Sequence, residues 1–304
     1  MRSRHRRATT SPAGRARWPW TAAIALATLL VLLVPLACGG DGETAPTETE
    51  TTETETTDTG AIDTTETEAG TTVSVYLLRG ETVGVARREV PVTRAVLRAA
   101  LEQLVEGPSA EERAWGLGTS IPEGTTLNGV SLADGIATID LSTEFDDGGG
   151  SSSMLTRLAQ VVFTATRFPT VKGVLFELDG APVTTFSSEG IVLDGPQRRA
   201  DYEEQAPPIL VETPAPGDVV TSPLRLAGSS NTFEATYQYA LVTADGDELA
   251  ASFGTATCGT GCRGTFAAKI AYDAPPGEAT LRVFEYSAKD GSVVHLVEIP
   301  LTLG

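Results

Sequence analysis

The sequence predicts two globular domains in tandem, an α+β domain and an all-β sandwich, behind an N-terminal export segment. In the first domain, two segments carry apolar residues at helical spacing, and strand-like runs lie on either side of them. Beyond residue 208 helical spacing is absent, and short strand-like runs alternate with turn signals. These patterns predict a small sheet with two helices on one face, followed by a sandwich of two sheets.

The N-terminus has the organisation of a secretory signal peptide, which we place at residues 1–37. An uncharged run from Trp18 to Ala37 follows six arginines and no acidic residue. The segment Ala37-Cys38-Gly39-Gly40 resembles the end of a bacterial lipobox, in which the cysteine is lipidated and becomes the new N-terminus. Pro35 departs from that pattern, because an aliphatic residue usually stands three positions before the cysteine. An uncleaved membrane anchor and a freely secreted protein therefore stay open as alternatives.

All three alternatives place the rest of the chain outside the membrane, since basic residues keep the N-terminal flank cytoplasmic. We expect a protein that is lipid-anchored through Cys38 at the extracytoplasmic face of the cell membrane. Residues 38–71 comprise this cysteine and a Thr/Glu tract with almost no apolar residues. Because apolar burial cannot offset the entropy of ordering such a tract, we expect it to be a disordered linker.

The charge balance excludes one class of partner. Six of the 22 basic residues precede Cys38, whereas all 40 acidic residues follow it, so the mature part carries a net charge of −24. Binding to the phosphates of a nucleic acid requires clustered Lys and Arg residues, which so acidic a chain does not offer. The sequence therefore predicts no nucleic-acid partner.

The first domain is predicted at residues 72–194. Its expected elements, in order, are strands at 73–79 and 83–90, a helix capped by Thr93, strands at 127–132 and 136–141 joined by Asp134-Gly135, a helix capped by Ser151–Ser153, and a strand at 171–178. Each helix shows a single apolar stripe, which favours packing on one face of a sheet.

A second linker is predicted at residues 195–207, where charged residues lead to Pro207-Pro208. The second domain then occupies residues 208–304. Its expected strands are 209–213, 224–227, 235–242, 265–271, 280–285 and 293–301, separated by Pro-Gly and Asp-Gly turns.

Cys258 and Cys262 are the two cysteines that follow Cys38, and an even pair outside the cell is predicted to form a disulfide. So short a ring would contribute about 2 kcal/mol, enough to fix a loop. Zinc is the weaker alternative, because the mature part has one histidine, His295. Redox chemistry is also weaker, because redox motifs usually place two residues between their cysteines. We expect no metal and no cofactor.

The mature part offers little for catalysis. A Ser-His-acid triad would have to use His295, which lies in a strand-like run and is better explained as a structural or surface residue. The acidic cluster Glu144, Asp146 and Asp147 lies beside glycines, and a solvated turn explains it better than glycan cleavage or Ca²⁺ binding. We therefore expect no enzymatic activity.

Four polar residues are candidates for an interaction surface. Asp140 and Ser142 lie where a strand meets a loop, and hydrogen bonding within that turn explains them better than an interaction surface. Glu234 and Glu285 each follow a phenylalanine, so alternation points the glutamates outward if the phenylalanines point inward. Solubility or edge protection explains exposed strand carboxylates better than the binding of a polar ligand. We expect the aromatic residues of the second domain in its core, with a sugar-binding platform as the alternative: Phe233, Tyr237, Tyr239, Tyr272, Phe284 and Tyr286.

Several stretches of the first domain match a known family in order and spacing. They are Val75-Tyr76-Leu77, Ala100-Leu101-Glu102-Gln103-Leu104 with Gly107-Pro108, Ser120-Ile121-Pro122-Glu123-Gly124-Thr125, Asp140-Leu141-Ser142 with Phe145, Ala159-Gln160-Val161-Val162, and Phe168-Pro169-Thr170-Val171 with Asp179-Gly180. Through them the domain resembles the sporulation and spore germination domain called GerMN.

The second domain resembles the immunoglobulin-like domain of bacterial spore germination. The stretches that carry this resemblance are Pro214-Ala215-Pro216-Gly217, Ser222-Pro223, Gly228, Thr232-Phe233-Glu234-Ala235, Gly264-Thr265-Phe266, and Phe284-Glu285-Tyr286-Ser287 with Lys289-Asp290-Gly291-Ser292. The two resemblances together cover about three quarters of the chain.

The resemblances imply extracytoplasmic modules without catalytic residues, associated with envelope assemblies of spore formers. We expect a scaffold or interaction module with an envelope protein partner. Two alternatives stay open: a module that binds peptidoglycan or another wall glycan, and an accessory to an envelope sensor kinase, as in one branch of GerMN lipoproteins.

Overall fold

A computed structural model describes residues 70–304. The expected signal peptide, Cys38 and the predicted linker up to residue 69 lie outside the described residues. Thr71, predicted as the last residue of that linker, instead begins the first strand. No helix between residues 70 and 304 combines the length and the apolar character of a membrane span.

The first domain begins with an antiparallel hairpin, which two helices follow. Its strands are β1 (Thr71–Arg79) and β2 (Thr82–Val90), and helices α1 (Val96–Val105) and α2 (Ala110–Ala114) follow. A four-stranded sheet has the order β3-β4-β5-β6. Its members are β3 (Leu127–Ala133), β4 (Ile136–Leu141), β5 (Gly173–Leu178) and β6 (Ala181–Pro182), and a small pair, β7 (Thr185–Phe186) and β8 (Ile191–Val192), completes the domain.

Helix α3 (Ser151–Ala165) connects the parallel strands β4 and β5 and lies at the centre of the first domain. The single apolar stripe predicted for it is too narrow, because all but four of its fifteen residues are buried. Two of its buried polar residues, Gln160 and Thr164, bond to strand β1. The Gln160 amide donates to the Tyr76 carbonyl at 3.2 Å, and the Tyr76 N–H donates to the Thr164 hydroxyl at 3.0 Å.

The helix starts differ from the predicted caps. Helix α1 begins at Val96 with Ala95 in the N-cap position, and the Thr93 hydroxyl, which accepts from the Ala95 N–H, lies two residues too early to cap it. Gly150 occupies the N-cap of α3, so Ser151–Ser153 form its first turn. The sequence patterns do not predict helix α2, although its Ser109-x-x-Glu112 capping box is visible in the sequence.

The second domain is a sandwich of two sheets. The larger sheet has the order β10-β16-β15-β12-β13 and the smaller has the order β14-β11-β9. The strands are β9 (Ile209–Thr213), β10 (Val219–Val220), β11 (Leu224–Ser230), β12 (Thr236–Thr243), β13 (Glu248–Thr255), β14 (Gly264–Ile270), β15 (Gly277–Tyr286) and β16 (Val293–Leu303). Strands β10 and β13 are absent from the predicted set, since β10 has two residues and β13 buries none of its side chains.

The segment predicted as a second linker is folded. A 3₁₀ helix spans Arg199–Gln205, and Tyr202 is only 2% exposed in the hydrophobic core of the first domain. Leu210 of β9 joins the same core, so the core continues from the first domain into the second. The sequence does not predict this arrangement, because the segment is rich in charged residues and has too few buried positions to show a helical period.

Candidate functional site

The junction between the two domains contains a buried polar network built from three chain segments. Arg199 donates to Glu212 of β9 at 2.7 Å and to the Tyr76 hydroxyl of β1 at 3.0 Å. The Tyr76 hydroxyl in turn donates to Glu212. The Arg199 guanidinium lies over the rings of Tyr76 and Phe163, 5.0 and 4.8 Å from their centres. The network therefore ties the first domain, the connecting segment and the second domain together.

The electrostatics of this network favour the ionised carboxylate. Burial alone would raise the pKa of the Glu212 carboxyl, but the charge of Arg199 and the hydrogen bonds from Tyr76 and Arg199 hold it below its ordinary value. Burial is also the main cause that raises the pKa of the Tyr76 hydroxyl. Tyr76 therefore stays protonated and remains a donor to Glu212.

A second set of contacts closes the other side of the junction. Arg87 of β2 pairs with Asp218 at 2.9 Å and donates to the Thr213 hydroxyl at 2.9 Å. The Trp115 ring covers Gly217 so closely that a Cβ at that glycine would lie 2.4 Å from it. These side chains act in positioning the domains, a role that no local pattern in the sequence indicates.

Asp140 and Ser142, predicted as part of an interaction surface, form bonds within the fold. The Asp140 carboxylate accepts from the Gly180 N–H at 2.9 Å, and the Ser142 hydroxyl accepts from the Thr126 N–H at 3.0 Å. Ser142 is buried. Both side chains bond at the ends of strands β3, β4 and β6, which is the turn-bonding role that the sequence favoured for them.

The orientation expected for Glu285 is wrong. Glu285 alternates with the buried Leu281 and Val283 and is itself only 9% exposed, whereas Phe284 lies on the opposite face of β15. Its carboxylate accepts from the Phe233 N–H at 3.0 Å and lies 2.9 Å from His295 Nδ1. His295 thus has a structural hydrogen-bonding contact with Glu285.

Glu234 does not lie in a strand, and its outward position has another cause. It sits in a turn before β12 with a positive φ of 53°, and its side chain is exposed. Its N–H donates to the Thr260 hydroxyl at 2.9 Å. Thr260 lies in the loop that the disulfide between Cys258 and Cys262 closes, with their Cα atoms 5.7 Å apart. The disulfide loop therefore packs against the turn that carries Glu234.

The acidic cluster is organised by one buried arginine. Arg157 of α3 donates to the carbonyls of Ser120, Phe145 and Gly148, which holds the glycine-rich loop against the helix. Burial raises the pKa of the Asp146 carboxyl, although Arg157 opposes this shift. Within residues 70–304, no group of three or more His, Cys, Asp or Glu residues is placed to hold a metal ion.

Aromatic side chains are exposed at two places in the second domain. On the outer face of the larger sheet, Tyr286, which the sequence predicts in the core, is 52% exposed, and Phe253, which is outside the predicted set, is 66% exposed. Phe233, also predicted in the core, is 51% exposed in the turn before β12. Tyr237, by contrast, is buried and contacts Phe266 of the opposite sheet, with 4.4 Å between ring centres. The aromatic residues of this domain are thus divided between its core and solvent-exposed positions.

Comparisons with known families agree with both domains. Residues 74–184 match the family model Germane, described as sporulation and spore germination. Residues 208–292 match the family model Gmad2, described as the immunoglobulin-like domain of bacterial spore germination. The matches confirm the predicted fold class, an α+β domain followed by an immunoglobulin-like sandwich.

Solved structures show weaker similarity. The first GerMN domain of the sporulation protein GerM from Bacillus subtilis is 24% identical, with a TM-score of 0.37, over 43% of this chain and 99% of its own. The tandem GerMN domains of the same protein are 18% identical, with a TM-score of 0.40, over 67% of this chain and 62% of theirs. A putative lipoprotein from Clostridium perfringens is 20% identical, with a TM-score of 0.32, over 43% of this chain and 89% of its own. No curated protein sequence matches the chain.

Proposed function

Since the chain carries a Germane domain followed by an immunoglobulin-like domain of bacterial spore germination, we propose that it is a non-catalytic interaction module of the bacterial envelope. In this proposal, lipidated Cys38 holds the chain at the extracytoplasmic face of the membrane. The two domains act together as a scaffold that presents one composite surface to other envelope components, including an envelope protein partner.

The observation that carries the proposal is the closed junction between the domains. Arg199 bonds to Tyr76 and Glu212, and Arg87 bonds to Asp218 and Thr213, so charged side chains from both domains are paired within the interface. Separating the domains would leave these charges without partners, and an unpaired buried charge is costly. A junction of this kind favours a rigid scaffold over two independently moving binding heads.

Site-specific photo-crosslinking in the native bacterium tests the interaction role. We expect a crosslinker at exposed positions of both domains, such as Val192 and Val219, to capture the same envelope component repeatedly. A crosslinker at buried Leu241 is the matched control and should capture nothing. Failure of every exposed position to give a reproducible product would refute the scaffold role, whereas capture of a sensor kinase would identify the partner.

The anchor is tested separately by replacing Cys38. We expect the wild-type chain to incorporate a labelled fatty acid and to sediment with membranes. The variant Cys38→Ala should lose the label, while Cys258→Ala, which removes a cysteine from the other end of the chain, should keep it. Retention of the label in Cys38→Ala would contradict lipidation at this residue.

A further inference from the structure

The outer face of the larger sheet in the second domain carries a row of apolar side chains that is interrupted by one amide. Phe253 of β13 is opposite Gln238 of β12, and Gln238 is opposite Phe284 of β15. Tyr286 follows two residues after Phe284, on the same face, and is opposite Val293 of β16. Four neighbouring strands therefore contribute to one surface, which we call the aromatic row: Gln238, Phe253, Phe284, Tyr286 and Val293.

The aromatic row is open to solvent and ordered by its own contacts. Phe253, Tyr286 and Val293 are 66%, 52% and 50% exposed. The rings of Phe284 and Tyr286 meet edge to face, with 5.3 Å between their centres. Strand neighbours lie about 4.8 Å apart, so the Phe253 and Phe284 positions, separated by β12, are roughly 10 Å apart along a line that crosses the strands. The row thus offers two ring platforms with an amide side chain between them.

The polar groups beside the exposed ring of β13 carry no charge, although the second domain as a whole is acidic. Residues 208–304 contain eleven acidic and five basic residues. The polar neighbours on this part of the face are Gln238 and the opposed pair Thr236 and Thr255. Arg282 lies two residues before Phe284 on the same face, and its charge is paired with that of Glu298 at 2.9 Å. Hydroxyl and amide groups beside aromatic rings suit a ligand that has hydroxyls and an apolar face but no charge.

We propose that the aromatic row binds a neutral polysaccharide of the envelope, with the glycan lying across the strands. The apolar faces of the sugar rings would stack on Phe253 and on the Phe284–Tyr286 pair, and the Gln238 amide would bond to sugar hydroxyls between them. The inference rests on the proposed function in one respect, because only an extracytoplasmic location brings the chain into contact with envelope polysaccharides.

Other occupants fit the row less well. A stable protein interface uses roughly 20–30 residues on each side, and the row has five. A second copy of the domain would carry the same net negative charge, which opposes association of the two copies. The same repulsion disfavours anionic wall polymers.

Titration calorimetry with a β-1,4-linked N-acetylglucosamine hexamer tests the inference. The full chain is used, in a detergent without a sugar head group, because such a head group would compete. We expect Phe253→Ala to weaken binding roughly threefold to tenfold and the double variant Phe253→Ala, Tyr286→Ala to abolish it. Phe253→Trp and Tyr286→Phe keep a ring and should keep binding. Val192→Ala, at an equally exposed position of the first domain, is the control and should bind like wild type.

Each contrary outcome has a distinct meaning. Equal affinity in wild type and the double variant would place the glycan elsewhere and overturn the inference. Absence of binding by the wild type, to the hexamer and to sacculi stripped of protein and anionic polymers, would also overturn it. If photo-crosslinking from position 253 then captured one protein, the row would be a protein site, and the proposed interaction role would stand. The circular dichroism melting temperature of each variant must match wild type, since the replaced side chains are exposed.

Discussion

At the scale of single residues, Glu212 shows how burial can make an acidic side chain structural. Its carboxylate receives hydrogen bonds from Tyr76 and Arg199 and lies 3.7 Å from Arg167. These bonds stabilise the folded chain only while the Glu212 carboxylate is ionised, so the free energy of unfolding depends on pH. The sequence presents this glutamate only as a strand residue before Thr213.

The pH dependence of folding follows from that lowered pKa. Because the pKa of Glu212 is lower in the folded chain than its ordinary value of 4.5, its stabilising effect is complete above pH 4.5 and is lost as the pH falls through the folded value. We expect Glu212→Gln to destabilise the chain at pH 7, with the difference from wild type shrinking below about pH 4.5. Urea unfolding from pH 3 to pH 7 measures this. Glu298→Gln, in an exposed pair, is the control, and a gap for Glu212→Gln that did not change with pH would contradict the assignment.

Gly228 illustrates a residue that is required by close backbone approach. A Cβ at this position would lie 2.1 Å from the Leu210 carbonyl oxygen and 2.8 Å from the Phe266 ring, where β11 and β9 shift register. Because backbone atoms cannot yield as a flexible side chain can, we expect Gly228→Ala to lower the free energy of unfolding by about 3 kcal/mol.

Chemical denaturation of a matched pair checks this expectation. At Gly277, the first residue of β15, an added methyl group would have no atom within 4 Å, and Gly277→Ala should change stability by less than about 0.5 kcal/mol. Equal stabilities for the two alanine variants would show that the β9–β11 approach is looser than its geometry indicates.

At the scale of elements, helix α2 depends on its N-terminal cap more than on its length. The Ser109 hydroxyl accepts from the Glu112 N–H at 3.1 Å, and the Glu112 carboxylate accepts from the Ser109 N–H at 2.7 Å. Arg88 of β2 also donates to Glu112, at 2.9 Å, so the cap is joined to the hairpin. Five residues cannot form a stable helix alone, and these bonds supply the tertiary support.

Removing one hydroxyl tests the cap. We expect Ser109→Ala to lower the free energy of unfolding by about 1 kcal/mol, because the Glu112 N–H loses its acceptor. Ser152→Ala is the control at an exposed serine in the first turn of α3, where Gly150 holds the N-cap position, and it should be neutral. Thermal unfolding followed by circular dichroism compares the two. A larger loss of stability for Ser152→Ala than for Ser109→Ala would instead support the serine cap of α3 that the sequence predicts.

At the scale of the whole molecule, the described domains share more than a covalent connection. Tyr202 and Leu210 belong to the hydrophobic core cluster of the first domain. Tyr202 lies in the connecting segment, however, and Leu210 lies in the first strand of the second domain. Trp115 of the first domain covers Gly217 of the second. Unfolding one domain would therefore expose part of the core and part of the interface of the other.

Calorimetry tests this coupling. We expect wild type to unfold in a single transition with equal calorimetric and van't Hoff enthalpies. Arg199→Ala leaves Glu212 without its main partner and should lower the melting temperature and separate the domains into two transitions. Arg282→Ala, which breaks an exposed pair, should keep one transition. Two transitions in wild type would show that the contacts at the junction do not couple the unfolding of the two domains.

The sequence by itself determined the elements whose signals are local. The Asp134-Gly135 turn, with positive φ at both residues, and the flanking strands β3 and β4 could be placed because turn chemistry and alternation act between neighbours. The tandem fold class followed from the change between helical and strand periods at the start of the second domain. The candidate anchor, Cys38, also rests on local pattern, and it stays a prediction.

Tertiary structure alone decided which polar residues are buried and which aromatic residues are exposed. Arg199 and Tyr202 lie in a segment predicted as a linker. Arg199 bonds to Glu212, thirteen residues further along the chain, and Tyr202 packs in the first-domain core, most of which is distant in sequence. Alternation gave two faces for β15 but could not tell that Glu285 faces inward and Phe284 faces outward. The physical reason is that burial stabilises the fold only when two surfaces pack against each other. The sequence of a single strand or segment therefore does not show which of its faces will be buried.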